Sequence, residues 1–207
     1  MVGDGLDLSR HGDGPLDEVV VATARAFWPD PMFAYFARSH AHHHRFLPAL
    51  LGPVVADARA HGEVWVARTP RGVAGSASWL APGATPRSLP RELRIARGAV
   101  GAFAWARNRR RALGALTEVE RRHPREPHWY LALLGVDPRF QGQGIGAALV
   151  GPVLDRCDAE GVPGYLETQK QENLAFYARF GFEEVDRVEV GGAPPIWRLW
   201  REPRPPA

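Results

Sequence analysis

A chain of 207 residues with 45% hydrophobic side chains is long enough to bury one core, and a net charge of +3 makes no electrostatic case for a nucleic-acid partner. The lone cysteine, Cys157, excludes an internal disulfide and suits a reducing compartment, taken here as the cytoplasm. No apolar run approaches the ~20 residues that span a bilayer, and the polar stretch from Met1 to Pro15 has no signal-peptide core.

In chain order, residues 1–14 read as loose, with at most a short strand near Leu6-Asp7-Leu8. Asp17 to Phe27 reads as a helix that Pro29 and Pro31 end. An aromatic stretch follows, with Phe33, Tyr35 and Phe36. Phe46 to Ala60 reads as a second helix closed by Gly62. Glu63 to Arg68 and Val73 to Leu80 read as a hairpin about the turn Thr69-Pro70-Arg71-Gly72. Pro90 to Leu116 is helical and arginine-rich, with Arg107, Arg109, Arg110 and Arg111 read as a solvated helix end. Trp129 to Val136 is apolar on both faces, as a central covered strand should be. A helix runs from Gly144 to about Glu160. Ile145, Leu149, Val153 and Cys157 give it one buried face, and Pro152 bends it. Cys157 is thus a small buried hydrophobe rather than a nucleophile. Tyr165 to Thr168 reads as a strand, Asn173 to Phe180 as a short helix, and Phe182 to Val190 with Ile196 to Trp200 as an antiparallel pair. Residues 202–207 read as frayed. This order predicts one α/β domain over residues 1–207, a mixed α+β sheet with helices on both faces.

The loop Asp137-Pro138-Arg139-Phe140-Gln141-Gly142-Gln143-Gly144-Ile145-Gly146 joins the buried strand to its helix. Glycines alternating at a helix start let backbone N–H groups close on an anion. A phosphate-binding P-loop would need a lysine that is missing here, and a dinucleotide fingerprint would need another glycine spacing and an earlier strand. What remains is Gln141-x-x-Gly144-x-Gly146, of the form [QR]-x-x-G-x-[GA].

That motif, joined to Asn173-x-x-x-Tyr177 and Gly181-Phe182 in order and spacing, resembles the acetyl-CoA site of the GNAT superfamily of N-acetyltransferases. Residues 124–200 are similar to the puromycin N-acetyltransferases and their actinobacterial relatives. Glu126-Pro127-x-Trp129-Tyr130-Leu131-Ala132, Gly135-Val136-x-Pro138, Gly161-Val162-Pro163 and Leu166-Glu167-Thr168 carry that similarity. The resemblance implies a central mixed, mostly antiparallel sheet flanked by helices, with acetyl-CoA as the cofactor. Its diphosphate would lie against Gln141, Gly142, Gln143, Gly144, Ile145, Gly146 and Ala147. Its pantetheine arm would pair with Leu134, Gly135 and Val136 and touch Asn173, Phe176 and Tyr177. Gln141 stands where arginine is commoner in the family, so one formal charge is missing. Tyr177 is implied as general acid to the sulfur. Glu167 would be the base that takes the amine proton if it turns toward the cleft, and a structural carboxylate otherwise.

Phe33, Tyr35, Phe36, Trp79 and Trp129 read as core residues individually, some of which would wall a pocket for a flat or aromatic amine. His40, His42, His43 and His44 lack the acid of a zinc motif, so no metal is expected. The expected activity is transfer of acetyl to a primary amine of a small molecule such as an antibiotic. The alternatives are a protein or peptide amine and a non-catalytic acyl-CoA sensor. No nucleic-acid or membrane partner is expected, and the chain is read as a monomer or homodimer.

Overall fold

The computed structural model describes residues 5–37, 39–106, 109–189 and 192–204. Seven strands form one sheet: β1 (Asp7–Arg10), β2 (Gly62–Thr69), β3 (Gly72–Leu80), β4 (Trp129–Val136), β5 (Gly164–Thr168), β6 (Glu183–Val188) and β7 (Ile196–Arg201). Their spatial order is β1-β2-β3-β4-β5-β7-β6. The pair β4–β5 is parallel and the others are antiparallel. It is parallel because a helix, α7 (Ile145–Glu160), carries the chain back across the sheet between the two strands.

The double-sided apolar pattern of β4 is explained by its place, fourth of seven, with a helical layer on each face. On one face α1 (Asp17–Ala26) and α3 (His43–His61) bury Val19, Leu47, Leu51 and Val55 against the sheet. On the other, α7 and α8 (Glu172–Ala178) bury Leu149, Val153, Cys157, Tyr177 and Phe182. Arg201 of β7, next to the edge strand β6, ties α7 to the sheet by donating to both carboxylate oxygens of Asp158 at 2.8 and 2.7 Å.

Two segments differ from the reading of the sequence. The expected helix from Pro90 to Leu116 is three pieces: α4 (Leu89–Gly98), α5 (Val100–Trp105) and α6 (Arg109–Arg122). The first break falls where the chain crosses α3, at Gly98, whose missing side chain leaves room for Pro53; a Cβ there would lie 2.7 Å from it. The aromatic stretch holds an unforeseen short helix, α2 (Pro31–Phe36). Asp30 caps it, accepting from the backbone N–H of Met32 and Phe33 at 3.0 and 3.4 Å. The N-terminal strand extends to Arg10, and Arg204 donates its N–H to Asp158, so residues of both ends are tied to the body. Arg107 lies outside the described residues, as do the side chains of Arg109, Arg110 and Arg111.

Candidate active site

The parallel ladder has three rungs, Trp129↔Gly164, Tyr130↔Tyr165 and Leu131↔Leu166. Both strands continue past the third, β4 to Val136 and β5 to Thr168, without pairing to each other. The pairing of β4 with β3 slips at the same level, from Trp79↔Leu131 to Ser78↔Leu133, so Ala132 is left over as a bulge. A cleft of about 540 Å3 lies at the open end of this fork. Its walls include Leu134, Gly135 and Val136 of β4, the start of α7, and Asn173, Phe176 and Tyr177 of α8.

The glycine loop ends in an uncapped helix. Gly144, the N-cap of α7, is left-handed at φ +79° and offers no side-chain cap. Ala148 is the first α7 amide with an acceptor in this turn, Gly144 O at 3.1 Å, so the amides before it have none within the helix. Gly142 is also left-handed, at φ +75°, and a Cβ on Gly142 or Gly144 would meet no protein atom within 4 Å. A bared row of N–H groups at the positive end of a helix, facing open space, fits a diphosphate. Around it the loop is braced. Asp137 is buried and accepts from the N–H and guanidinium of Arg139, which hold its carboxyl below the usual aspartate range. Gln141 donates to Val136 O at 3.0 Å, so its amide closes the loop onto β4.

Most residues expected to hold acetyl-CoA therefore converge: Leu134, Gly135, Val136, Gln141, Gly142, Gly144, Ile145, Gly146, Ala147, Asn173, Phe176 and Tyr177 all line the cleft. Gln143, exposed in the same loop, does not. Gly135 has a second reason to be glycine, since a Cβ there would lie 2.8 Å from Ala26 of α1. Asn173 donates to Thr168 Oγ1 at 2.9 Å, pinning α8 to the end of β5. Tyr177 is buried between Phe176 and Phe182, and burial alone pushes its hydroxyl well above the usual tyrosine range.

Glu167 is placed otherwise than a cleft-facing base would be. It follows Leu166 at the apex of the fork but does not line the cleft. Its two oxygens accept from the hydroxyls of Tyr165 (2.7 Å) and Tyr130 (3.0 Å), and His123 Nδ1 stands 3.8 Å away. Burial, followed by the Glu167 charge, drives both phenols far above their ordinary range and keeps them as donors. His128 extends the cluster. Its Nδ1 faces Glu126 O at 2.6 Å, which only a protonated nitrogen satisfies. Its Nε2 therefore accepts from His123 Nε2 at 3.1 Å when His128 is neutral, the form its burial favours.

The expected aromatic wall is corrected in part. Trp79 and Trp129 are buried on the α7 face but at the paired end of the fork, Trp129 at the first parallel rung and Trp79 opposite Leu131, so neither reaches the cleft; Trp129 Nε1 donates to Glu160. Phe36 is core on the opposite face, and Tyr35 packs edge-on against it. Phe33 stays near the cleft, its ring edge-on to Phe27 at 5.5 Å, and Phe27 is part of the wall.

Three charged wall residues escaped the sequence reading: Asp30, Lys170 and Arg179. Burial, the largest influence on Asp30, raises its pKa against the charge of Lys170 and the two α2 amides. The guanidinium of Arg179 lies over the Phe176 ring, and a Cβ on Gly146 at the start of α7 would lie 3.4 Å from that ring. The Asp30-Pro31 step was a readable capping signal, but nothing local ties it to this cleft.

Cys157 is buried, and burial pushes its thiol up to about 12, so it is no nucleophile. Among the described residues no group of three His, Cys, Asp or Glu side chains could hold a metal. His42 and His44 make local bonds to Ser39 and Ala41, and His43 is buried against Trp28. No described helix is long and apolar enough to cross a membrane.

The model of the acetyltransferase (GNAT) family matches residues 74–182, just over half of the chain, from β3 through the cleft to α8. The chain belongs to that family, whose members use acetyl-CoA. A stretch of 59 residues is 42% identical to an uncharacterized N-acetyltransferase of Schizosaccharomyces pombe, covering 28% of this chain and 24% of that one; the chain thus spans about a quarter of that relative's length. In fold it is similar to a histone acetyltransferase HPA2 and related acetyltransferase of Corynebacterium glutamicum, with TM-score 0.70 and 23% identity over 98% of this chain and 99% of that one. It is also similar to the polyamine N-acetyltransferase of Drosophila melanogaster, which forms N-acetylagmatine, with TM-score 0.62 and 14% identity over 95% and 99%.

Proposed function

We propose that this chain is an acetyl-CoA-dependent N-acetyltransferase that moves acetyl to a primary amine of a small molecule by direct attack in a ternary complex. One observation carries the reading: a bared helix N-terminus and a strand fork open into the same cleft, whose wall also includes Tyr177. Bound there, acetyl-CoA supplies the activated thioester. The amides before Ala148 hold its diphosphate, with Arg179 offering on the α8 side the charge that Gln141 lacks. The unpaired edge of Leu134, Gly135 and Val136 orients the pantetheine arm, and an N–H there polarises the acyl carbonyl. Tyr177, kept protonated by burial, donates to the departing sulfur. Glu167, at the fork apex but outside the cleft wall with its oxygens on Tyr130 and Tyr165, is proposed to take the amine proton through an intervening water rather than by direct contact.

The edge-on pair Phe27 and Phe33 beside the cleft suits a flat or aromatic amine, such as an antibiotic or related metabolite of the kind the puromycin N-acetyltransferases modify. A peptide or protein amine is the second reading, in line with the histone acetyltransferase to which the fold is similar. The buried free thiol of Cys157 suits work in the cytoplasm. The test is thiol release from acetyl-CoA across a panel of small amines and peptides. Release with small amines supports the proposal. Release with peptides alone moves the substrate to the second reading, and cofactor binding without release makes the chain a sensor.

A further inference from the structure

We propose that Lys170 is an internal acetyl acceptor, so that with acetyl-CoA in the cleft the chain acetylates its own ε-amine at this one position. The inference rests on the reading of the cleft as an acetyl-CoA site. Lys170 is the sole lysine of 207 residues, and it stands in the wall of that cleft. The other basic residues besides histidine are arginines, whose guanidinium stays charged and is no nucleophile. The one acylable side-chain amine thus sits where an acyl donor would be held.

Its surroundings keep it there and leave it available. The Lys170 N–H donates to Thr168 Oγ1 at 3.4 Å, and Asn173 donates to the same hydroxyl, so the turn between β5 and α8 is tied down. The ammonium makes no hydrogen bond or ion pair with the described residues. Asp30, on the α1–α2 side of the same cleft, is within its electrostatic reach. Asp30 Oδ1 serves the α2 cap, and burial raises the affinity of the carboxylate for a proton. Tyr177 belongs to the same wall.

The step balances with these groups. One proton of the ammonium passes to solvent. The neutral Nζ attacks the thioester carbonyl, the C–N bond forms and the C–S bond breaks. The second proton leaves the nitrogen as the amide forms, and the sulfur departs as thiol with the proton that Tyr177 relays. Holding amine and thioester in one cleft makes the reaction effectively unimolecular, which is why a wall residue can compete with a free acceptor. The product removes the positive charge that faces Asp30 and leaves that carboxylate to draw a cationic acceptor.

The experiment incubates the purified full chain with acetyl-CoA and no added amine, and follows intact mass and peptide maps. The expected result is one acetyl increment, on Lys170. Lys170→Arg should lose it, and excess free CoA should suppress it. An unmodified Lys170 in a chain that binds CoA and acetylates free amines overturns the proposal and leaves the cofactor reading standing. A chain that neither binds CoA nor turns over amines overturns both. Modification that persists under excess CoA, or that spreads to the N-terminus, marks bulk chemistry and also overturns it.

Discussion

Leu131 and Leu166 form the last rung of the parallel ladder, and the candidate site begins where they end. One residue further, Ala132 bulges out of the pairing with β3, and Glu167 gives its oxygens to two tyrosines. The bulge shifts the side chains of β4 by one position, so that Leu133 faces α1 while Leu134 lies against the α7 side and lines the cleft. The end of β4, still paired to β3 on one edge, then offers the main-chain groups of its β5-facing edge to a ligand in place of a neighbouring strand.

The Tyr177 hydroxyl is the expected proton donor to the leaving sulfur. Tyr177→Phe should lower kcat by about a hundredfold and leave the Kd for CoA little changed, since the ring still packs between Phe176 and Phe182. Steady-state kinetics and calorimetry on the same preparation check this. An unchanged kcat removes Tyr177 from the chemistry.

Glu167→Gln keeps the size of the side chain and loses the base. The account expects kcat to fall on the order of a hundredfold with the KM for the amine little moved. A fall in melting temperature with kcat intact would leave the residue a structural anchor for Tyr130 and Tyr165.

The left-handed Gly144 starts α7, and an L side chain in that conformation costs roughly 1–2 kcal/mol. Gly144→Val should therefore tilt the first turn away from its anion and weaken CoA binding about tenfold. Titration of the variant against CoA measures the ratio, and equal affinity would contradict the cradle.

Asp158 accepts two bonds from the buried Arg201 and one from the Arg204 N–H, which together hold its carboxyl below the usual aspartate range, the Arg201 bonds contributing most. Asp158→Ala strands the arginine and should cost about 2–3 kcal/mol, a drop of roughly 5–10 °C in melting temperature. Because the folded pKa is the lower one, this stabilisation is complete above the ordinary aspartate value near 3.8 and drains away as pH falls through the depressed folded value. Thermal melts of both proteins from neutral to acid pH should converge. A constant gap would refute the linkage.

What could be read from the sequence was whatever is local. The double-sided strand, the glycine loop and the α7 face are contiguous patterns, and the residues expected at the diphosphate and pantetheine lie within or just after them. Asp30 and Lys170 are far apart in sequence, and only the packing of α1 and α2 against the ends of β4 and β5 brings them to one cleft. Trp79 and Trp129 were ambiguous because an aromatic ring suits a pocket wall and a core equally well, and only their place along the strands, within the paired part of the fork, decides between them. The break between α4 and α5 was hidden because a lone glycine is tolerated in a helix. Its reason is Pro53 of a distant helix.

Calorimetric titration of the purified chain with coenzyme A and acetyl-CoA tests the central claim most directly. The account predicts saturable association of one molecule per chain, weakened in Gly144→Val and by added salt. Absence of any binding heat for both ligands, confirmed by an absent shift in melting temperature, would contradict it.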